Sequence, residues 1–197
     1  MLIYGAGGHA KVIISILKAT GIEIDGIFDE DLSKEKLSGI AIRHSYNSNI
    51  LPDKKLIIAI GNNMIRRKIS ERINHEFGSV IHPSAIVDES VKIREGTCIM
   101  HNTVIQADAV IGKHVIINTS ASIDHDCNVE DFVHIAPGVV LAGGVHIAEN
   151  TLVGIGSFIA PGISIGKNCL IGIGSVVTKN IPDGVTVRGN PARIITH

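Results

Sequence analysis

A six-residue repeat is the feature that most restricts the fold of this chain. Between Ile81 and Pro182 an aliphatic residue opens every hexad, and a small or β-branched residue sits four places later. A period of six fits neither an α-helix, at about 3.6 residues, nor an isolated strand, at about 2.0. The repeat therefore predicts a coil of short stacked strands. The seventeen openers are Ile81, Val87, Ile93, Ile99, Ile105, Ile111, Ile117, Ile123, Val129, Ile135, Leu141, Ile147, Val153, Ile159, Ile165, Ile171 and Val177.

The period also predicts the shape of the coil. If each hexad is a short extended segment followed by a tight corner, three hexads close one triangular turn of eighteen residues. The openers and the small residues then point inward, and successive turns stack as parallel strands. Stacking buries a continuous core that a single hexad could not bury. Glycines such as Gly144 and Gly162 suit the positive φ or the cramped backbone of such corners.

The first eighty or so residues lack the repeat and predict a separate α/β unit. A short strand at Met1–Tyr4 leads into the glycine turn Gly5–Ala10 and then into an amphipathic helix that stops at Gly21. This order gives the nucleotide-binding fingerprint G-x-G-x-x-A. The glycines let backbone N–H groups approach a diphosphate, and the helix N-terminus adds a positive dipole end. The alternative is a glycine turn that only packs helix on strand.

Further residues point to the same crevice. A strand at Ile24–Phe28 ends at Asp29 and Glu30, about where an acidic residue would meet a ribose hydroxyl. A second buried strand, Leu56–Ile60, ends at Gly61, which should face the crevice because ligands lie at the carboxyl ends of parallel strands. About eighty residues allow only half of a dinucleotide fold. A mononucleotide or a nucleotide-sugar fits that half better than NAD.

A helix is predicted from Met64 to about Phe77. The expected inward residues are Ile65, Ile69 and Ile73. The basic residues are expected to lie largely outward, as a solvated face rather than a phosphate clamp; they are Arg66, Arg67, Lys68 and Arg72.

His125 is the strongest catalytic candidate among the ten histidines. It occupies the third, outward-pointing place of its hexad, between Asp124 and Asp126. An imidazole beside a carboxylate suits a general base, because the carboxylate holds one tautomer and favours the imidazolium as it forms. The alternative is a solvated histidine on a coil face, and spacing alone does not separate the two.

His134 follows His125 by nine residues, which is half of an eighteen-residue turn. The two histidines should therefore lie on different sides of the prism. This spacing argues against a metal site within one chain, and no metal is expected, since no Cys/His cluster has ligand spacing. Across a subunit boundary the two side chains could still converge.

Composition excludes several classes of protein. The formal net charge is −1 and the basic residues are scattered, so no nucleic-acid footprint is present. Apolar runs are too short for membrane insertion, and cytoplasmic localisation is expected. Cys98, Cys127 and Cys169 are odd in number and not closely paired, which predicts reduced thiols.

Several stretches together resemble a known family. Hexads such as 111–116 and 165–170, and the segment Gly189–Arg193 after the coil, resemble the hexapeptide-repeat acyltransferases, whose fold is a left-handed parallel β-helix. The whole chain is similar to the bacterial sugar acetyltransferases that include sialic acid O-acetyltransferase and the bacillosamine-pathway N-acetyltransferase. The stretches most specific to that group are Gly5–His9, Ile58–Asn63 and Asn118–Ser120. The expected architecture is a Rossmann-like half domain at 1–79 followed by a left-handed β-helix domain at 80–197.

The resemblance implies roles for particular residues. His125 would take a proton from the sugar amine, Asp126 would raise its basicity and Asn118 would help to position the substrate. Family members often carry Glu at the place of Asp126. The acyl donor would be acetyl-CoA, with the thioester region and pantetheine groove formed by His134, Gly143, Ile155 and Ile173. The nucleotide-sugar would be held by Gly7, Gly8, His9, Asp29, Glu30 and Gly61.

The activity implied is N-acetylation of a UDP- or GDP-linked deoxy-aminosugar by direct attack, without an acyl-enzyme. A homotrimer with active sites between subunits is expected, as in the family. The alternatives are a sugar O-acetyltransferase of the sialic acid type and a non-catalytic nucleotide-binding β-helix scaffold.

Overall fold

The computed structural model describes residues 1–195. Its N-terminal unit is a small sheet in the order β3-β4-β2-β1-β5, parallel except for the β3–β4 hairpin. The strands are β1 (Leu2–Tyr4), β2 (Gly26–Phe28), β3 (Lys36–Leu37), β4 (Ile40–Arg43) and β5 (Leu56–Ile58), with helices α1 (Gly8–Ala19) and α2 (Asn63–Ser70).

Local sequence explains where both helices begin and where α1 ends. Gly7 is the N-cap residue of α1, so the glycine turn passes straight into the helix. That helix ends where the Thr20 hydroxyl donates back to the Ile16 carbonyl and Gly21 takes a positive φ. At α2 the Asn62 side chain accepts a hydrogen bond from the Ile65 amide, a standard N-cap.

The rest of the chain is a parallel β-helix with three faces. Face 1 comprises Val80–Ile81, Cys98–Ile99, Ile116–Ile117, His134–Ile135, Leu152–Val153, Leu170–Ile171, Thr186–Arg188 and the antiparallel end strand Arg193–Ile194. Face 2 comprises Ile86–Val87, Val104–Ile105, Ser122–Ile123, Val140–Leu141, Phe158–Ile159 and Val176–Val177. Face 3 comprises Lys92–Ile93, Val110–Ile111, Asn128–Val129, His146–Ile147 and Ser164–Ile165.

The strand register confirms the predicted eighteen-residue turn. Ile105 lies beside Ile123, and Ile117 beside Ile135, so each opener stacks on the opener one turn later. The openers from Ile99 to Val177 are buried in one continuous core. The first three openers, Ile81, Val87 and Ile93, are partly exposed because they belong to the end turn of the coil.

Three corners join the faces. Each corner is named after the two faces that it joins. In one turn, corner 1–2 contains residues 118–120, corner 2–3 contains 124–126 and corner 3–1 contains 130–132. The same corners recur every eighteen residues along the coil. Glycine or a residue that tolerates the left-handed region occupies many corners. The non-glycine examples in the coil are Asn102, Asp108, His114, Ser120, Asp126, Phe132, Asn150 and Asn168.

The N-terminal unit packs against the lower part of face 1. The outward side chains of Val80, Cys98 and Ile116 are buried there together with residues of α1. Higher up, the Asn63 side chain donates to the Asn150 and Thr151 carbonyls of the coil. The glycine turn is thereby held close to the coil.

This docking overturns part of the expectation for α2. Ile69 and Ile73 are buried, as predicted, but Arg66 is only 1% exposed and Ile65 is 50% exposed. The prediction of an outward Arg66 and an inward Ile65 is wrong, because the coil covers the Arg66 side of the helix. The helix also ends at Ser70, before the predicted Phe77.

All three cysteines are free, as the sequence predicts. Cys127 and Cys169 lie in the coil core, whereas Cys98 lies beneath α1. No helix within residues 1–195 is long and apolar enough to span a bilayer.

Candidate active site

His125 stands at corner 2–3 and contacts the residue that follows it. Its Nδ1 atom is 2.7 Å from Oδ2 of Asp126, and its backbone N–H donates to the Asp124 carboxylate. Asp126, and then Asp124, raise the pKa of His125. Because a carboxylate only accepts, Nδ1 carries the proton in the neutral ring, and Nε2 is left as an acceptor. The side chain is largely exposed, so this lone pair is available to a substrate.

Gly143 lies directly beside this imidazole, one coil turn later. A Cβ atom built at Gly143 would be 2.6 Å from His125 Nε2, closer than any real contact allows. Glycine therefore leaves room for the ring. The structure places Gly143 at corner 2–3, away from Ile155 and Ile173, with which it was grouped in the predicted pantetheine groove. The spacing of eighteen residues is the sequence signal for this neighbour.

An apolar groove runs along face 1 and corner 1–2. It has a volume of about 550 Å³. Ile155 and Ile173 are 50% and 75% exposed there. The lining residues are Asn118, His134, Ala136, Pro137, Leu152, Gly154, Ile155, Leu170, Ile171, Gly172 and Ile173.

The hydrogen bonds around His134 define its tautomer. The Thr119 N–H donates to Asn118 Oδ1, which orients that amide so that its Nδ2 donates to His134 Nε2 at 3.1 Å. At the other end of the ring, His134 Nδ1 is 3.2 Å from the Gly61 carbonyl, which only accepts. His134 is therefore a neutral Nδ1–H imidazole. Burial, and then the charge of Arg66, lower its pKa to about 4.

His125 and His134 do not meet within one chain. His125 is at corner 2–3, whereas His134 is on face 1. The groove runs along face 1 and corner 1–2, so face 2 separates it from His125. This confirms the prediction from their nine-residue spacing. Asn118, grouped with His125 as a catalytic residue in the sequence, lies with His134.

A second depression, of about 390 Å³, opens at the carboxyl ends of β1 and β5. Gly5 closes its floor with φ +109°, and a Cβ there would lie 2.7 Å from Ile60 Cδ1. Asp29 and Glu30 line it, but Gly61, which was predicted to face the same crevice, lines a separate depression with Asn62, Asn63 and Asn150. The full lining is Tyr4, Gly5, Asp29, Glu30, Ile60, Ile65, Lys68, Ile69 and Arg72.

The acidic residues of this crevice are held by hydrogen bonds. Asp29 Oδ2 accepts from the Ala6 N–H at 2.6 Å and from Lys34 Nζ at 3.0 Å. Burial would raise the pKa of Asp29, but these bonds and the Asp31 N–H outweigh it and lower that pKa. Glu30 Oε1 accepts from the Tyr4 hydroxyl at 2.7 Å.

Sequence reasoning missed Tyr4, Lys68 and Arg72 as crevice residues. Arg72 donates to the Tyr4 hydroxyl at 2.8 Å and pairs with Glu30 at 2.6 Å. Burial, and then the Glu30 hydrogen bond, raise the pKa of Tyr4 to about 12. The only sequence signal was the position of Tyr4 at the end of its strand.

The glycine turn itself is open. A Cβ at Gly7 or Gly8 would meet no atom within 4 Å, so both backbones are accessible to a ligand. His9 turns inward, and its buried Nε2 has no hydrogen-bond partner within residues 1–195. Burial, and then the neighbouring His134 and Arg66, lower the pKa of His9 to about 4. The turn is therefore close to the groove that contains His134.

No three His, Cys, Asp or Glu side chains are grouped to hold a metal ion in the described part of the chain. The chemistry available is that of an exposed general base, an apolar groove and a crevice at a glycine turn. A parallel β-helix with these features is typical of an acyltransferase.

Comparisons with known proteins identify the family. Residues 1–73 match the family described as PglD N-terminal domain. Over 104 residues the chain is 41% identical to UDP-N-acetylbacillosamine N-acetyltransferase of Bacillus subtilis (strain 168), a match that spans 48% of each protein. It is 33% identical to GDP-perosamine N-acetyltransferase of Escherichia coli O157:H7, covering 97% of this chain and 94% of that one.

A solved structure agrees with these sequences. PerB from Caulobacter crescentus, in complex with CoA and GDP-perosamine, superposes with a TM-score of 0.94 at 37% identity, over 99% of this chain and 96% of that one. This chain belongs to the hexapeptide-repeat family of sugar acetyltransferases, a Rossmann-like half domain followed by a left-handed parallel β-helix.

Proposed function

We propose that this protein transfers the acetyl group of acetyl-CoA to the amino group of a UDP- or GDP-linked deoxy-aminosugar. Full-length similarity to a GDP-perosamine N-acetyltransferase supports the reaction class. The observation that carries the chemistry is the 2.7 Å contact between His125 Nδ1 and Asp126 Oδ2, which leaves Nε2 as an exposed base.

In the proposed step, His125 Nε2 takes a proton from the amine while the amine nitrogen bonds to the thioester carbonyl carbon. The carbon–sulfur bond then breaks, the His125 imidazolium returns its proton to the departing sulfur, and CoA leaves as the thiol, with no acyl-enzyme. Asp126 stabilises the imidazolium that forms. The amine must be neutral before it attacks, and positioning by the two pockets supplies much of the remaining rate.

The two pockets fit the two substrates. The groove with Ile155 and Ile173 suits the largely apolar pantetheine arm, and we place His134 at its thioester end. The crevice suits the nucleotide, with its diphosphate at the open N–H groups of Gly7 and Gly8. We also assign His9, Asp29, Glu30 and Gly61 to nucleotide-sugar binding, because they lie around the glycine turn and the carboxyl ends of the neighbouring strands.

We further propose that the active enzyme is a homotrimer. Face 2 presents an apolar outer surface, in which Phe158 is 52% and Ile86 is 68% exposed. Its outward residues are Ile86, Val104, Ser122, Val140, Phe158 and Val176, whereas those of face 3 are Lys92, Val110, Asn128, His146 and Ser164. An apolar face of this kind favours burial against another copy.

Such a trimer would complete the site. If face 2 of each prism turns toward a threefold axis, corner 1–2 of one chain comes beside corner 2–3 of the next. An axis parallel to the coil keeps the height of every residue unchanged. His125 of one chain would therefore meet the groove of its neighbour near Asn118, which belongs to the same turn. Gly143 would then lie at this boundary as well.

The direct test is release of free thiol from acetyl-CoA with a panel of UDP-, GDP- and dTDP-linked aminosugars and free sialic acids. We expect turnover with a UDP- or GDP-linked aminosugar and a product that is an amide. Turnover only with sialic acid would replace the proposal by O-acetylation. Failure to bind acetyl-CoA would favour a non-catalytic scaffold. Cytoplasmic localisation stays a prediction.

A further inference from the structure

Arg66 is a buried cation that has no carboxylate partner among residues 1–195. Its side chain is only 1% exposed, and every acceptor it has within residues 1–195 is a carbonyl or an amide oxygen. Burial lowers the pKa of its guanidinium to about 9, which is still above neutral pH. A buried unpaired charge is costly, and an apolar side chain often serves a purely structural site as well. The position therefore calls for an explanation beyond packing.

The donors of Arg66 join α2 to two other parts of the molecule. Nη1 donates to the Ile60 and Gly61 carbonyls, at 3.1 and 3.2 Å, where the chain leaves β5. Nε and Nη2 donate to the His114 and Phe132 carbonyls of corner 3–1, at 2.8 and 2.9 Å. A planar guanidinium with five donors can hold all these acceptors, which an ammonium cannot.

The Gly61 carbonyl is shared with His134. It accepts from Arg66 Nη1 and, 3.2 Å away, from His134 Nδ1. The Gly61 carbonyl, together with the Asn118 amide at Nε2, therefore fixes which nitrogen of His134 carries the proton, and Arg66 fixes that carbonyl. Burial is the larger cause of the lowered pKa of His134. The positive charge of Arg66 is the second cause, because it opposes protonation of the ring.

We propose that Arg66 is a positioning residue that keeps His134 as a neutral Nδ1–H imidazole and ties the nucleotide crevice to the acyl-donor groove. Its catalytic consequence rests on the function proposed above. The tautomer itself does not, since it can be observed without substrate.

Arg67 offers a matched control. It also bridges the two units, with Nη2 2.8 Å from Glu149 Oε2 and its guanidinium 4.7 Å from the Phe132 ring centre. It donates to neither Gly61 nor His134. Loss of a domain contact alone should therefore affect Arg66 and Arg67 variants alike.

The test is ¹⁵N NMR of the histidine rings in the full-length protein, with Arg66→Lys, Arg66→Gln and Arg67→Gln. The His134 ring signals are assigned from their absence in the spectrum of His134→Asn. In the wild type we expect these signals to show a protonated Nδ1, an unprotonated Nε2 and no titration down to about pH 5. In Arg66→Gln we expect an Nε2–H population and titration nearer the ordinary range. In Arg66→Lys the positive charge remains but an ammonium cannot hold all the acceptors. We therefore expect His134 to stay neutral, with its Nδ1–H tautomer less well maintained. Arg67→Gln should match the wild type.

Kinetics supply the second measurement. We expect kcat/KM of Arg66→Gln to fall by roughly ten- to a hundredfold, since small misplacements are costly, with little change in Arg67→Gln. An Nε2–H tautomer in the wild type would overturn the inference, and this result does not depend on either Arg66 variant folding. Unchanged His134 signals in a folded Arg66→Gln would also overturn it. The expected spectra without turnover on any aminosugar would refute the proposed function and leave this inference standing.

Discussion

Asp126 bonds to the imidazole of its own neighbour, His125, at 2.7 Å. Consecutive side chains on a strand point to opposite faces, so this contact needs the corner. Asp126 lies there with φ +58°, which brings its carboxylate round to Nδ1. The coil corner thus brings an imidazole and a carboxylate together from adjacent residues, which leaves Nε2 to face outward.

His125→Asn should abolish most of the activity. Without a base at corner 2–3 we expect kcat/KM to fall by about a hundredfold or more, with the thermal midpoint unchanged because the side chain is exposed. His146→Asn is the control, since His146 also pairs with a carboxylate, Glu130, at 2.8 Å on face 3. Thiol release measures both variants, and equal rates in the two would contradict the assignment of His125.

Asp126→Asn should change the pH profile as well as the rate. Asn accepts the left-handed φ, so the corner is retained. The carboxylate raises the pKa of His125, and its removal should therefore lower that pKa. We expect the acidic limb of log kcat/KM against pH to move to lower pH while the plateau falls. A lower plateau with an unmoved limb would show that Asp126 does not act through His125.

Gly143→Ala should impair catalysis without unfolding the coil. The three atoms nearest the new methyl group would all belong to the movable ring of His125, with Nε2 closest at 2.6 Å. The ring must turn away, so we expect a large loss of kcat with a small change in the unfolding temperature. Gly154→Ala is the contrast, because its Cβ would be 2.5 Å from the Ile171 carbonyl oxygen, part of the backbone. That variant should lose stability.

The coil was predictable from sequence because its period is local. Openers eighteen residues apart, such as Ile117 and Ile135, must stack in any such prism. The same arithmetic places Gly143 beside His125. The burial of Arg66 could not be predicted in this way, because it depends on which side of α2 docks on the coil. Charge patterning alone marked that side as solvated, and a docking surface leaves no fixed spacing in the sequence.

Acid should destabilise the junction between the two units. Burial is the main cause that lowers the pKa of His9, His114 and His134 to about 4, from an ordinary 6.5. Below about pH 6.5 the unfolded chain binds protons that the folded chain does not, so stability is lost as the pH falls toward 4. Each histidine contributes at most about 3 kcal/mol to this loss of unfolding free energy. Urea unfolding between pH 7.5 and 4.5 measures the loss.

His114→Phe isolates one of these contributions. His114 stacks on Phe132 at a ring distance of 5.0 Å and meets Phe77 edge-on at 4.4 Å, contacts that a phenyl ring can keep. Phe132 itself shows that this corner accepts Phe at positive φ. We expect the variant to lose less stability than the wild type on acidification. An identical slope against pH would mean that His114 titrates normally.

Co-expression of two variants tests the proposed trimer, in which two chains share each site. His125→Asn leaves the groove intact, whereas Ile173→Glu puts a charge into the groove, where Ile173 is 75% exposed, and leaves the base intact. We expect both variants to be nearly inactive alone, the second through a raised KM for acetyl-CoA. After co-expression, a site formed by His125 of an Ile173→Glu chain and the groove of a His125→Asn chain has all its parts. Activity should therefore reappear in the mixture and follow the fraction of mixed trimers. If the site lies within one chain, every chain in the mixture stays defective and no activity returns.

Phe158→Glu on face 2 tests the assembly itself. We expect this substitution to lower the sedimentation coefficient toward that of a monomer and to remove the complementation, although it changes neither His125 nor the groove.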